Sequence, residues 1–429
     1  MAGDLLLILC HPGPGLGRPI LGLTGVHRSL LGLARAGFDR IVAVPGGGLD
    51  ARDVTACVPD GLRDATRVVE RLPGETDGDL VRRVAQAGQA VAVLDSDVVV
   101  GPKDAADIAG RVAAGRALSV AEGLVHAFPA RAVAMLPQGA GLPEAARSLE
   151  VPGALDRVPP PLLVARLDGS DTARRLVEDR LLQGLRKPLD IDGVVGFYVQ
   201  RPISTRISRR LARTRIRPNH LTLLAMAAGL SSGVLVAMGG PLLTAAGGLL
   251  FLLGSFIDCL DGEIARLKFQ FSRTGEWMDT VADDSSTLSF LAGTTIHLAA
   301  RHESGLVAGL GVAACAAFVL ASAYVYHRLA TVIGSGDLTR FPYPFLKDDG
   351  APGTRRGVVD VLKFVIKRDF FSAFFCVCAC LGILEAAFAF ALVGMFAFAG
   401  VVAYTAWLQH APALRAAPDG PHAPDGRLP

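Results

Sequence analysis

The 429-residue chain balances 43 Lys and Arg against 40 Asp and Glu, a formal net charge of +3, and 51% of its residues are hydrophobic. So even a balance gives no reason to expect a nucleic-acid partner, and the seven cysteines show neither zinc-ligand nor disulfide-framework spacing. A mean hydropathy of +0.41 is high for a water-soluble protein of this length, and the excess lies in the second half.

Residues 1–190 read as an α/β domain. "DLLLILC", "RIVAVPG" and "AVAVLDSDVVV" read as buried strands, with "SLLGLARAG" as a helix between the first two. That β-α-β order predicts a mostly parallel sheet. Met1 leads into "DLLLILC" with no basic segment and no cleavage site, so this domain is expected to stay in the cytoplasm.

Residues 197–216 place Ile203, Ile207 and Leu211 at four-residue spacing, with Arg206, Arg209 and Arg210 between them. The pattern predicts a basic amphipathic helix lying on a membrane surface. The plainer alternative packs it on the soluble domain. Residues 217–410 then hold six apolar runs, near 220–239, 242–262, 279–299, 305–328, 370–386 and 388–408, the last two divided near Glu385. Each is close to the length a bilayer requires. They predict an all-α membrane domain of six spans. Arginines and lysines gather before the first span, after the second and before the fifth, while the other side shows little beyond Arg301. The positive-inside rule therefore puts both termini and the N-terminal domain in the cytoplasm of a multi-pass inner- or plasma-membrane protein. Cys376, Cys378 and Cys380 fall in an apolar run and read as reduced cysteines. The tail 411–429, rich in Pro, Ala and Gly, reads as disordered.

The stretch "FIDCLDGEIARLKFQFSRTGEWMDTVADD", 256–284, interrupts this apolar half with five aspartates. Asp258 and Asp261 are three apart, and Asp279 and Asp283 are four apart, so each pair shares one helix face. A turn between the helices would bring four carboxylates together. Such a cluster repels itself unless a cation intervenes, and all-oxygen ligation suits Mg²⁺ or Mn²⁺. Asp284 points about a hundred degrees away from Asp283 and receives no role. Glu263 and Glu276 read as surface charges.

The stretch contains D-x2-D-G-x2-A-R-x8-G-x3-D-x3-D without a gap, at Asp258, Asp261, Gly262, Ala265, Arg266, Gly275, Asp279 and Asp283. It resembles the signature of the CDP-alcohol phosphatidyltransferase family. The resemblance implies six transmembrane helices and a two-metal site open to the cytoplasm. Asp258, Asp261, Asp279 and Asp283 would hold the metals, with Asp283 also the general base. Gly262, Ala265, Arg266 and Gly275 would meet the donor nucleotide, as would Asn219 and Thr222 of "PNHLT". The donor would be CDP-diacylglycerol or a CDP-polyol, the leaving group CMP, and the assembly a homodimer. "VIKRDFF", 365–371, is similar to members that join inositol phosphates, which implies that Lys367 and Arg368 hold the phosphate of a polyol-phosphate acceptor.

The N-terminal domain is similar in layout to sugar-phosphate nucleotidylyltransferases. A first strand runs into a Gly-rich loop, "HPGPGLGRP", with Arg18 where that family has lysine. The family's threonine-arginine is absent. "VLDSDVVV" resembles the strand ending in a metal-binding aspartate, here Asp97, and Asp168 or Asp171 would supply a second acid. The resemblance implies either CTP-dependent synthesis of the CDP-alcohol or a degenerate domain with a regulatory or docking role.

Overall fold

The computed structural model describes residues 4–10, 19–46, 48–56, 58–86, 88–120, 125–141, 155–158, 164–186, 192–193, 195–336, 338, 341 and 367–410. Arg18 and the tail 411–429 lie outside them. The chain divides into two compact units. The first comprises Met1–Lys187, Thr205–Arg215 and Glu263–Phe269, and the second comprises Pro188–Ser204, Ile216–Gly262 and Gln270–Pro429.

The first unit is built on strands β1 (Leu5–Cys10), β2 (Arg40–Pro45), β3 (Thr66–Val68), β4 (Val91–Asp95), β5 (Val98–Val100), β6 (Ala117–Val120), β7 (Val125–Phe128), β8 (Leu155–Val158) and β9 (Val164–Arg166). Between them run α1 (Gly25–Arg35), α2 (Ala51–Ala56), α3 (Asp77–Val84), α4 (Pro102–Ala113) and α5 (Ala130–Val133), and α6 (Asp171–Gly184) follows β9. Seven strands form one sheet in the order β3-β2-β1-β4-β7-β6-β8. Strand β1, "LLLILC", is buried along its whole length at the centre. Its alternate residues go to opposite faces, as the strand period of two requires. Leu6 and Ile8 join Leu30 of α1 and Ile108 of α4, while Leu5 and Leu7 join Leu80 of α3 and Val133 of α5.

The main sheet is mostly parallel, as the β-α-β order predicts, and β7 runs antiparallel to both β4 and β6. One expectation changes here. The segment "AVAVLDSDVVV" is two strands rather than one: β4 stays in the main sheet, and β5 pairs antiparallel with β9 in a second sheet. The apolar residues give no signal for such a switch, since those of both strands are buried.

Arg28 of α1 is 1% exposed and donates to the carbonyls of Ile20, Leu21 and Leu267, at 2.6–3.0 Å. Burial pushes its pKa down to about 9, opposed by the charge of Glu178, so the guanidinium remains protonated at neutral pH. A buried cation with this many carbonyl partners is held in place by them.

The remaining helices are α7 (Arg201–Leu211), α8 (Pro218–Met238), α9 (Pro241–Lys268), α10 (Arg273–Arg301), α11 (Gly305–Arg328), α12 (Arg368–Leu381) and α13 (Leu384–His410). On α7 the buried face is made of small polar residues, Ser204 and Ser208, while Ile203 is 46% exposed. Within the first unit, the end of this arginine-rich segment pairs with α6, Arg209 with Asp179 and Arg213 with Glu178.

Among the described residues four helical stretches are long and apolar enough to cross a membrane: Pro218–Met238, Pro241–Lys268, Gly305–Ile333 and Leu384–Gln409. Helix α10 has 29 residues, but Glu276, Asp279, Asp283 and Asp284 load its first half with charge. Helix α12 has only 14 residues. The α12–α13 break falls at Gly382, in the left-handed conformation at φ 72°, three residues before the expected division. Glycine is the residue that ends a helix this way at no steric cost.

Helices α8 and α10 approach closely because small residues line both. A Cβ on Gly229 would strike Ser286, and one on Gly233 would strike the Ser289 backbone. This is the packing that small residues give helices in lipid. Phe251, Phe290 and Phe375 fill the interior alongside, with ring centroids 4.8 Å apart for Phe251–Phe290 and 5.1 Å for Phe290–Phe375.

Candidate active site

Helix α9 carries Asp258 and Asp261 one turn apart near its end. After a short turn, Ser272 caps α10 by accepting the Gly275 N–H at 2.9 Å, and α10 then presents Asp279 and Asp283 one turn apart. Carboxylate oxygens of Asp258, Asp261 and Asp279 all lie within 4.8 Å of one another. The sequence spacing and the turn therefore do bring these three acids together.

Their protein partners are few. Thr222 Oγ1 donates to Asp261 Oδ2 at 2.5 Å. Arg368, the first residue of α12, forms an ion pair with Asp283 and lies 3.7 Å from Asp258 Oδ1. Oδ1 of Asp258 is buried and accepts no hydrogen bond. The Arg368 guanidinium brings one positive charge against the two carboxylates it meets, Asp258 and Asp283. Convergent, under-bonded carboxylate oxygens fit a hard divalent cation.

The other expected donor contacts are placed as follows. Asn219 Oδ1 stands 3.3 Å from where a Gly275 Cβ would be, so these two motif positions do meet. Gly262 follows Asp261 on α9 and is half-buried. Ala265 and Arg266 come a turn later, in the stretch belonging to the first unit. Lys367 caps α12 through its backbone alone. Glu263, read as a surface charge, is instead 0% exposed. Glu276 is exposed and accepts from Ser335 at 3.0 Å.

Sequence reasoning passed over two acids. Asp284 accepts from the Tyr326 hydroxyl at 2.6 Å and from Ser322 at 2.9 Å, tying α10 to α11 beside Asp283. Asp369 is buried and accepts the Gly196 N–H at 2.8 Å. Neither belongs to a spaced motif, so only the folded arrangement reveals them.

In the first unit, Asp97 sits in the turn that follows β4. Its Oδ1 is buried and accepts no hydrogen bond, while its Oδ2 lies 3.8 Å from Arg166, which also pairs with Asp95 at 2.5 Å. The Asp97 carbonyl accepts the Leu167 N–H at 2.8 Å, which draws the chain next to Asp168 alongside. Asp168 and Asp171 are both exposed.

Residues 215–345 match the family described as CDP-alcohol phosphatidyltransferase. A bifunctional IPC transferase and DIPP synthase of Aquifex aeolicus (strain VF5) is 38% identical over 107 residues, 25% of this chain and 24% of that protein. The protein of the same name from Thermococcus kodakarensis (strain ATCC BAA-918 / JCM 12380 / KOD1) is 34% identical over 123 residues, 28% of this chain and 27% of the relative. An archaetidylinositol phosphate synthase of Pyrococcus horikoshii (strain ATCC 700860 / DSM 12428 / JCM 9974 / NBRC 100139 / OT-3) is 31% identical over 98 residues, 23% of this chain and 50% of the relative. The matched stretch thus spans about a quarter of the two bifunctional relatives' length. With four apolar helices long enough to cross a bilayer, this is a membrane protein. The aspartate-bearing helices and the match agree on one conclusion: the chain carries a CDP-alcohol phosphatidyltransferase domain over residues 215–345.

Proposed function

We propose that the protein transfers the substituted phosphate of a CDP-alcohol to an acceptor hydroxyl, releasing CMP. The observation that carries this reading is the convergence of Asp258, Asp261 and Asp279, with Asp283 and Arg368 at the same cluster. Two Mg²⁺ or Mn²⁺ ions held by Asp258, Asp261, Asp279 and Asp283 would supply charge neutralisation for the donor's diphosphate.

The chain's own groups do the rest. Asp283 takes the proton of the acceptor hydroxyl as its oxygen bonds to the phosphorus distal to cytidine. The bond from that phosphorus to the CMP oxygen breaks. Asn219, Thr222, Gly262 and Gly275 meet the donor nucleotide. Thr222 holds the Asp261 carboxylate by its hydroxyl. Arg368, with Lys367 beside it, receives the acceptor's phosphate. A planar fork of donors suits that group. The relatives' names support an inositol phosphate acceptor, in phospholipid or polyol-phosphodiester synthesis. On this reading the six helices α8–α13 span the membrane, the active site faces the cytoplasm, and the protein works as a homodimer among lipids.

A second reading adds synthesis of the CDP-alcohol from CTP by the first unit. The buried, unbonded Oδ1 of Asp97 favours it.

The test is direct. Purified protein is given Mg²⁺ or Mn²⁺, inositol 1-phosphate and a panel of CDP-diacylglycerol and CDP-polyols. CMP and the joined product are expected from at least one donor. No CMP from any of them overturns the proposal.

A further inference from the structure

Beside the carboxylate cluster lies a buried acid that the transfer reading does not use. Asp369 is the second residue of α12 and is 8% exposed. Its Oδ2 accepts the Gly196 N–H at 2.8 Å. Gly193 has φ +79, and a Cβ there would lie 2.6 and 2.7 Å from the two Asp369 oxygens. Only glycine admits this approach. One residue earlier, Asp192 accepts two hydrogen bonds from Arg201, both at 2.7 Å, and the two side chains are 6% and 7% exposed. Asp192 is thus pinned by the start of α7, while Gly193 and Gly196 close on the Asp369 carboxylate.

An acid in the first turn of a helix needs only to face the helix dipole, and it does so from solvent. Asp369 is instead buried, and it bonds the backbone of a chain segment 173 residues away. Its neighbour Arg368 reaches Asp258 and Asp283 through Nη1, with its Nε buried and making no hydrogen bond. A long side chain of this kind has many rotamers. Its direction depends on where the first turn of α12 is held.

We propose that Asp369 is a positioning residue. By its contacts with Gly196 and Gly193 it fixes the start of α12, and so holds the Arg368 guanidinium at the carboxylate cluster for the acceptor's phosphate. The inference rests on the transferase reading for its effect on turnover, but not for its effect on Arg368 itself.

Two measurements on the full-length protein test it. The first is the rate at which phenylglyoxal modifies Arg368 without substrates, read by mass spectrometry of its peptide. Asp369→Ala and Gly193→Ala are each expected to speed modification several-fold. Asp369→Asn keeps an oxygen for the Gly196 N–H and should stay near the parent. The second is CMP release with inositol 1-phosphate as acceptor. The same two variants should raise the acceptor KM on the order of tenfold, the scale of one lost charged hydrogen bond, with the donor KM within about twofold. Adding Arg368→Gln to Asp369→Ala should cost little beyond Arg368→Gln alone, as coupled groups do. A merely structural role would move both KM values together, and that result overturns the proposal. So does an unchanged Arg368 modification rate in Gly193→Ala, which leaves the acid in place if Asp369→Ala fails to fold. A parent that releases no CMP refutes the transferase reading instead, and the modification rates still decide the role of Asp369.

Discussion

Asp258, Asp261 and Asp279 can be tested as ligands without relying on turnover. Asparagine keeps the volume of aspartate but removes its charge. Each Asp→Asn substitution is therefore expected to weaken Mn²⁺ binding by at least about tenfold, on the scale of one lost charged ligand contact. Electron paramagnetic resonance of free Mn²⁺ measures this directly. Asp261 should be the most sensitive, because it is buried and Thr222 holds one oxygen at 2.5 Å. Unaltered Mn²⁺ binding in all three variants would remove the metal from this site.

At the scale of elements, helix ends decide much. The last four carbonyls of any helix lack intrahelical donors. At the end of α9 that demand is met in part by Arg28, whose Nη1 reaches Leu267 O at 2.8 Å. Removing the guanidinium orphans the carbonyls of Ile20, Leu21 and Leu267 together. Arg28→Met is expected to destabilise the first unit by about 3 kcal/mol, the usual cost of breaking a buried charged network. Chemical denaturation followed by tryptophan-independent far-ultraviolet dichroism reads this out. The other end of an element matters at α3. Thr76 and Asp79 form a capping box there, with the Thr76 hydroxyl, the Gly139 N–H and Arg82 holding the Asp79 carboxyl below the usual range. Arg83 does the same for Glu75. Both folded-state pKa values are depressed. Their stabilisation is therefore present above about pH 4, the unfolded value, and is lost as pH falls through the folded values. Hydrogen exchange across 76–84 should be steady from pH 7 to 5 once corrected for intrinsic rates. Protection should fall below about pH 4, and Asp79→Asn should flatten that fall.

For the whole molecule, two predictions separate its parts. Single cysteines placed at Gly353 and Glu303 should be labelled from opposite sides of sealed vesicles, the first from the cytoplasmic side. Gly353 lies outside the described residues, so the expectation rests on the arginine distribution. The reverse labelling would overturn the proposed orientation. The second prediction concerns Asp97 and Asp283, which lie in different units. Asp97→Asn should leave transfer from a supplied CDP donor within a few-fold of the parent. Asp283→Asn should lower it by roughly a hundredfold or more, the scale for losing a general base. Loss of transfer in a folded, membrane-inserted Asp97→Asn protein would end the idea that the two chemistries are separate. Pyrophosphate formed from CTP and a polyol phosphate, and lost in that variant, would establish the second activity.

The sequence by itself determined the helix faces of the four aspartates, because spacings of three and four fix the face through helical geometry alone. It also determined four of the six expected apolar spans and the α/β character of the first unit, since both follow from local sequence pattern. What it left undecided is what depends on distant partners. The antiparallel β7, the passage of β5 into a second sheet and the burial of Glu263 are set by neighbours far along the chain. So is the grouping of Arg368 with Asp258 and Asp283, across 110 and 85 residues of numbering. Asp284 and Asp369 carry no local signal, because a carboxylate's partner is chosen by which hydroxyl or amide packing brings within about 3 Å. Periodicity states which way a side chain faces, and only the tertiary fold supplies what it meets there.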